Sequence, residues 1–209
     1  MKPEDTNNVW LQGAVARGPV FEGGSWSFTC AGHVHLASGK VLPWFHRVVL
    51  PDGFDTVLTP GVPVSVRGRL DHRKQLLEGE VRSTVDVMAA SVRLLDAALH
   101  PVVEASERSF ILVGGLNRVR LAGNLTRAAA PQVLLNGDPF VRLNLAVESG
   151  GRSQFFIVKA AREQASSLQA LGKGARLGLQ GALLSETYPG KDGRPVYGVS
   201  VEVIAARVS

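Results

Sequence analysis

Cysteine is nearly absent: Cys30 stands alone among 209 residues. No disulfide can form within the chain, so a packed core must hold it, and a reducing, cytoplasmic setting is expected. Long apolar runs are missing too. None approaches the roughly 18 residues that a spanning helix needs. The opening "MKPEDTNN" is polar and acidic, so a secretory signal is not expected. The arrangements that carry catalysis are also lacking. There is no convergent carboxylate pair and no nucleophile beside a base, and Gly114-Gly115 is not followed by the Lys-Ser/Thr of a phosphate loop. The chain therefore reads as a non-enzyme. His33, His35, His46 and His72 lack the spacing of a known metal site, and no metal or cofactor is expected. At 45% hydrophobic and 20% charged the composition is globular, not disordered.

Positive charge is present but lopsided. Residues 1–105 hold 10 Lys and Arg against 11 Asp and Glu, whereas residues 106–209 hold 13 against 7. A basic half favours a polyanionic partner, although ordinary surface solubility explains the same excess.

The sequence also starts twice. "NNVWLQGAVAR" (7–17) and "NRVRLAGNLTR" (117–127) share the frame Asn-x-Val-x-Leu-x-Gly, ending in Arg. Gly13 and Gly123 are 110 residues apart, as are Phe45 in "LPWFHRVVL" and Phe155 in "RSQFFIVKA". "VSVRGRL" (64–70) matches "LGLQGALL" (177–184) at offset 113, and "VDVMAASV" (85–92) matches "VEVIAARV" (201–208) at offset 116. Kept order with slowly drifting spacing is the mark of a tandem repeat. The expected divisions are 1–93, a linker at 94–113, and 114–209. The linker's apolar residues predict that it packs on a domain.

Each repeat reads as short strands of period two. Val9, Leu11 and Gly13 alternate with Trp10 and Gln12; Val141, Leu143, Leu145 and Val147 alternate with Arg142 and Asn144. Trp26, Phe28 and Cys30 align with Val141, Leu143 and Leu145 and read as core. "EQASSLQAL" (163–171) is the one helix candidate; its counterpart "PDGFDTVLTPG" (51–61) is broken by Pro and Gly and predicts a turn. The expected fold is all-β with a short helix: two tandem five-stranded Greek-key barrels of the OB-fold.

With these residues in place, the chain resembles the bacterial single-stranded DNA-binding proteins, of the type that carries two OB-folds and here without an acidic C-terminal tail. "NRVRLAGNLTR" is similar to that family's first strand, "GDPFVRLNLAV" to its second, "PWFHRVVL" to its third and "KDGRPVYGVSVEVIAARV" to its last hairpin. The resemblance implies non-catalytic, largely sequence-independent binding of single-stranded DNA in replication, repair or recombination, with replication or repair proteins as further partners and no membrane. It implies a base-stacking aromatic at Phe45 and Phe155 and a basic residue two places on, for which Arg47 and Lys159 stand. Trp44 beside Phe45 is a further candidate contact. A second stacking ring falls on Tyr188, flanked by Lys191 and Arg194; the first repeat has Gln75 there but keeps Arg69, Arg73 and Lys74. Arg142 and Arg152 are candidate phosphate contacts. The resemblance also implies four OB-folds per working unit, hence a homodimer, with Trp10 or Arg120 of a first strand at the interface.

Two departures favour a specialised paralogue or a primosome-like accessory protein. The sequence ends at Ser209 just after the last strand, and the loop "ESGGRSQ" (148–154) is short for a DNA-gripping arm. The competing class is thus an OB-fold interaction module that binds DNA weakly; an enzyme's tRNA- or oligonucleotide-handling subunit is a third.

Overall fold

The computed structural model describes residues 4–35, 41–77, 80–106, 109–134, 136–189 and 195–208. It divides into two compact units: Asn8–Arg73 with Val85–Arg118, and Val119–Ser209 with Met1–Asn7 and Lys74–Thr84. Asp5 shows why the N-terminal residues belong to the second unit. Its carboxylate accepts from Arg176 Nη1 at 2.6 Å and from the Glu148 backbone N–H at 2.8 Å.

The first unit holds most of β1 (Thr6–Glu22), all of β2 (Ser25–His35) and β3 (Val41–Val49), and most of β4 (Pro63–Leu77) and β5 (Glu80–Leu94). β1 pairs antiparallel with both β2 and β4, β2 with β3, and β3 runs parallel to β5. The order β2-β3-β5-β4-β1 closes where β1 returns to β2, which is the OB-fold barrel. β1 serves two neighbours because its register shifts on either side of Arg17, as bulges allow a strand to bend. The segment expected as a linker carries β6 (Val102–Ser106) and β7 (Ser109–Leu112), an antiparallel pair whose β7 lies beside β2. Ile111 is buried there with Ala16 and Ala31, so the apolar residues do pack.

The second unit repeats the plan with β8 (Leu116–Leu125), β9 (Ala130–Val133), β10 (Pro139–Ser149), β11 (Arg152–Ala161), α1 (Arg162–Leu168), β12 (Arg176–Pro189) and β13 (Pro195–Val208). β8 pairs with β10 and β12, β10 with β11, and β11 parallel to β13. The helix covers 162–168 instead of 163–171 and buries Ala165 and Leu168. Turns and irregular chain replace it at 51–61. Among the described residues no helix is long and apolar enough to cross a membrane.

The repeat holds at the level of strand register. Val9 faces Gly68, and their counterparts Val119 and Gly181 also face each other. Cys30 faces His46; Leu145 faces Phe156. The glycines mark close backbone crossings: a Cβ on Gly68 would fall on the Met88 carbonyl, and one on Gly181 on the Glu202 carbonyl. That pair corrects the sequence alignment of the last strand, because Met88 and Glu202 differ by 114, not 116. A slip of two residues leaves every side chain on its original face, so alternation alone could not detect it.

Trp26 is a second correction. Phe28 and Cys30 are buried as expected, but Trp26 is 52% exposed. The β1–β2 ribbon runs past the barrel, where Phe21 and Trp26 face each other with ring centroids 5.4 Å apart. Val141, with which Trp26 aligns, lies inside the second barrel.

Candidate nucleic-acid interface

The outward faces of β2–β3 and β10–β11 carry one matched feature. Phe45 lies opposite Ala31, and Phe155 lies opposite Ala146. The rings are 39% and 48% exposed, while His46 and Phe156, one residue on, are 3% exposed each. Alternation sends one neighbour in and the next out. The alternative in which both rings are core does not hold.

Trp44 is corrected by the same alternation. It shares the inward face with His46 and Val48 and is 1% exposed. Gly13 and Gly32 make room for it, since a Cβ on either would strike the indole, and the ring stacks on His46 at 5.3 Å. In the second barrel Gln154 and Val147 occupy the places of Trp44 and Gly32. Trp44 is a core residue and offers no face to a ligand.

Two of the first barrel's expected contact cations, Arg47 and Arg73, are already paired. Arg47 Nη1 donates to Asp86 Oδ2 at 3.1 Å, its Nε donates to Ser27, and its Nη2 lies 3.8 Å from Glu22. Arg73 Nε lies 3.0 Å from Asp71 and 3.5 Å from Asp86. Both aspartates are only 5% exposed at the side chain. Burial raises the Asp86 carboxyl above its ordinary value, Arg47 and Arg73 offset this only in part, and Asp71 adds to the rise. These acidic partners escaped the sequence reading. Their signal was an Asp at an outward position on β5, the strand that borders β3.

In the second barrel Lys159 pairs with Glu186. Burial raises the Glu202 carboxyl, as does the neighbouring Glu186, against the opposing effect of Lys159. Register also moves Lys159 from its expected role. It stands four residues after Phe155 and matches Val49, while Ile157 occupies the place of Arg47. Arg142, opposite Lys159, is exposed.

Two matched barrels with exposed rings at one register define what the chain resembles. Residues 116–209 match the model of the single-strand binding protein family. A single-stranded DNA-binding protein of Thermus thermophilus is 31% identical over 216 aligned residues, which span 95% of this chain and 82% of that one. The chain belongs to the single-strand binding protein family. A Deinococcus radiodurans member is 28% identical, over 94% of this chain and 73% of its own. The crystal structure of the wild-type single-stranded DNA binding protein from Thermus aquaticus superposes with a TM-score of 0.79 at 27% identity, covering 99% and 94% of the two chains.

For this member of the family, the other expected residues fall as follows. Arg152 is exposed beside the β10–β11 turn, which Gly150 and Gly151 make at φ 62° and 76°. Two positive φ values close a tight hairpin, which explains why no long arm forms there. Arg69 is half-buried on β4. Trp10, half-buried, lies opposite Arg67, and the exposed Arg120 lies opposite Gln180. Lys191 and Arg194 lie outside the described residues, as do the side chains of Lys74, Gln75 and Tyr188. Cys30 is buried, which pushes its thiol up and keeps it protonated. Among the described residues no three His, Cys, Asp or Glu side chains converge as metal ligands would.

Proposed function

We propose that the protein binds single-stranded DNA without catalysing a reaction, by stacking bases on Phe45 and Phe155 and contacting phosphates through Lys and Arg. The observation that carries this reading is the pair of half-exposed rings at equivalent register in two OB barrels. Aromatic platforms in a basic setting suit single strands of any sequence, because every base has a π-face. A cytoplasmic setting and roles in replication, repair or recombination follow from this reading.

The test is titration with oligo(dT) against a duplex of equal length. Tighter binding of the single strand is expected, with log K falling on log salt by roughly 0.7 per phosphate contact. Binding that ignores salt, or equal binding of duplex, would turn the assignment toward an interaction module with weak DNA affinity. The paired state of Arg47, Arg73 and Lys159 is the observation that favours this second reading.

We further propose a homodimer assembled through a first strand near Trp10 or Arg120. Sedimentation at micromolar concentration should return twice the 22.3 kDa chain mass; a stable monomer would remove the dimer.

A further inference from the structure

We propose that Arg17 and Arg127 form a phosphate-contact site repeated in each barrel, which takes the backbone of a single-stranded nucleic acid beside the base stacked on Phe45 or Phe155. The inference rests on the reading of function given above. It starts from strand register. Arg17 lies opposite Thr29, and Thr29 opposite Arg47, so the three side chains form one outward row across β1, β2 and β3. Neighbouring strands are about 4.8 Å apart, so the row is about 10 Å wide. The Ala31–Phe45 pair stands two residues further along, about 7 Å away, a separation that one nucleotide spans from base to phosphate.

The second barrel repeats the row. Arg127 is 110 residues after Arg17, the offset that relates Phe45 to Phe155. Thr126 N–H donates to the Asn144 backbone carbonyl at 2.9 Å, which fixes the chain beside β10. With the Asn144 carboxamide turned so that its oxygen and not its NH2 faces Arg127, the guanidinium donates to that oxygen from Nη2 at 2.7 Å and from Nε; the amide's orientation is the one that satisfies both partners. Asn144 lies opposite Ile157, two residues from the Ala146–Phe155 pair.

Charge separates these arginines from their neighbours. Arg47 and Arg73 are bound to buried aspartates. Arg17 is exposed and makes no ion pair among the described residues. Arg127 is exposed and held by a neutral amide, which orients the guanidinium without cancelling its charge. An oriented, uncancelled guanidinium with donors to spare matches a phosphate, which it can grip with two N–H groups.

The test uses the full chain and oligo(dT) at a series of salt concentrations. Arg17→Ala and Arg127→Ala should each flatten the salt slope by about 0.7, and the double variant by about 1.4. Arg17→Lys with Arg127→Lys should keep the parental slope, because the charge remains. Thermal midpoints of all variants should match the parent, since both side chains are exposed. If the parent binds with its ordinary slope and the double alanine variant keeps that slope, the site falls and the function stands. If the parent itself fails to bind oligo(dT), the functional reading falls and the site with it.

Discussion

Replacing Phe45 and Phe155 together by alanine should weaken oligo(dT) binding by about 2–6 kcal/mol, from two stacks of about 1–3 kcal/mol each. That is roughly thirtyfold to beyond ten-thousandfold, at about 1.4 kcal/mol per tenfold. The two rings sit on separate units, so the single effects should add. Phe155→Ala should cost more affinity than Phe45→Ala. Arg142 and Arg127 stand exposed in the second barrel, whereas Arg47 and Arg73 are tied to aspartates in the first. Stability should separate affinity loss from damage to the fold. Half-exposed rings keep only part of the roughly 1.5–3 kcal/mol that full burial of a large apolar side chain contributes. Phe156→Ala is the contrast: that ring is 3% exposed, and emptying its place should cost about 3–5 kcal/mol of stability. Fluorescence titration and thermal melts of the four variants decide the matter. Parental affinity in the double variant would end the stacking role of these rings.

Much of the architecture was legible because it rests on period-two alternation and on the frame around Gly13 and Gly123. Those glycines cannot vary freely: a Cβ on Gly123 would fall on the Ala146 carbonyl. The positions of Phe45 and Phe155 follow from the same frame. What alternation cannot show is where a ribbon leaves its barrel. Trp26 has core parity, yet the β1–β2 ribbon carries it past the rim. Parity did hold the answer for Trp44, which lies next to Phe45 and must point the opposite way. Lys159 was misplaced by matching residue type over residue count.

The partners of the cations were the least legible part. Asp86 and Glu186 come from strands β5 and β12, and their approach to Arg47 and Lys159 depends on the register between strands distant in sequence, whereas Asp71 stands two residues before Arg73 on β4. The basic excess of residues 106–209 therefore overstates what Lys159 has to offer, and the near-neutral balance of residues 1–105 hides two arginines held on one outward face.

Asp86→Asn should release that face. Asp86 is shared by Arg47 and Arg73 and is 5% exposed, while the two arginines are about one-third exposed. With the carboxylate gone, Arg47 keeps Ser27 and the exposed Glu22 but loses its buried counter-charge. A guanidinium freed to meet a phosphate gains a charge-assisted hydrogen bond of about 1.5 kcal/mol, roughly tenfold in affinity, and the salt slope should steepen by about 0.7. Proton binding should act in the same direction. The Asp86 carboxyl lies above its ordinary value, so it neutralises earlier than an exposed aspartate as pH falls. The parent's affinity should then rise toward the variant's, and the gap between them should close. Stability follows the same sign. The folded chain binds this proton more tightly than the unfolded one, so the group's contribution falls as pH rises from the ordinary carboxylate range through the raised folded value. At neutral pH the variant should melt no lower than the parent. Parallel pH profiles with equal affinities would mean that Arg47 takes no part in binding and that the β3 face acts through Phe45 alone.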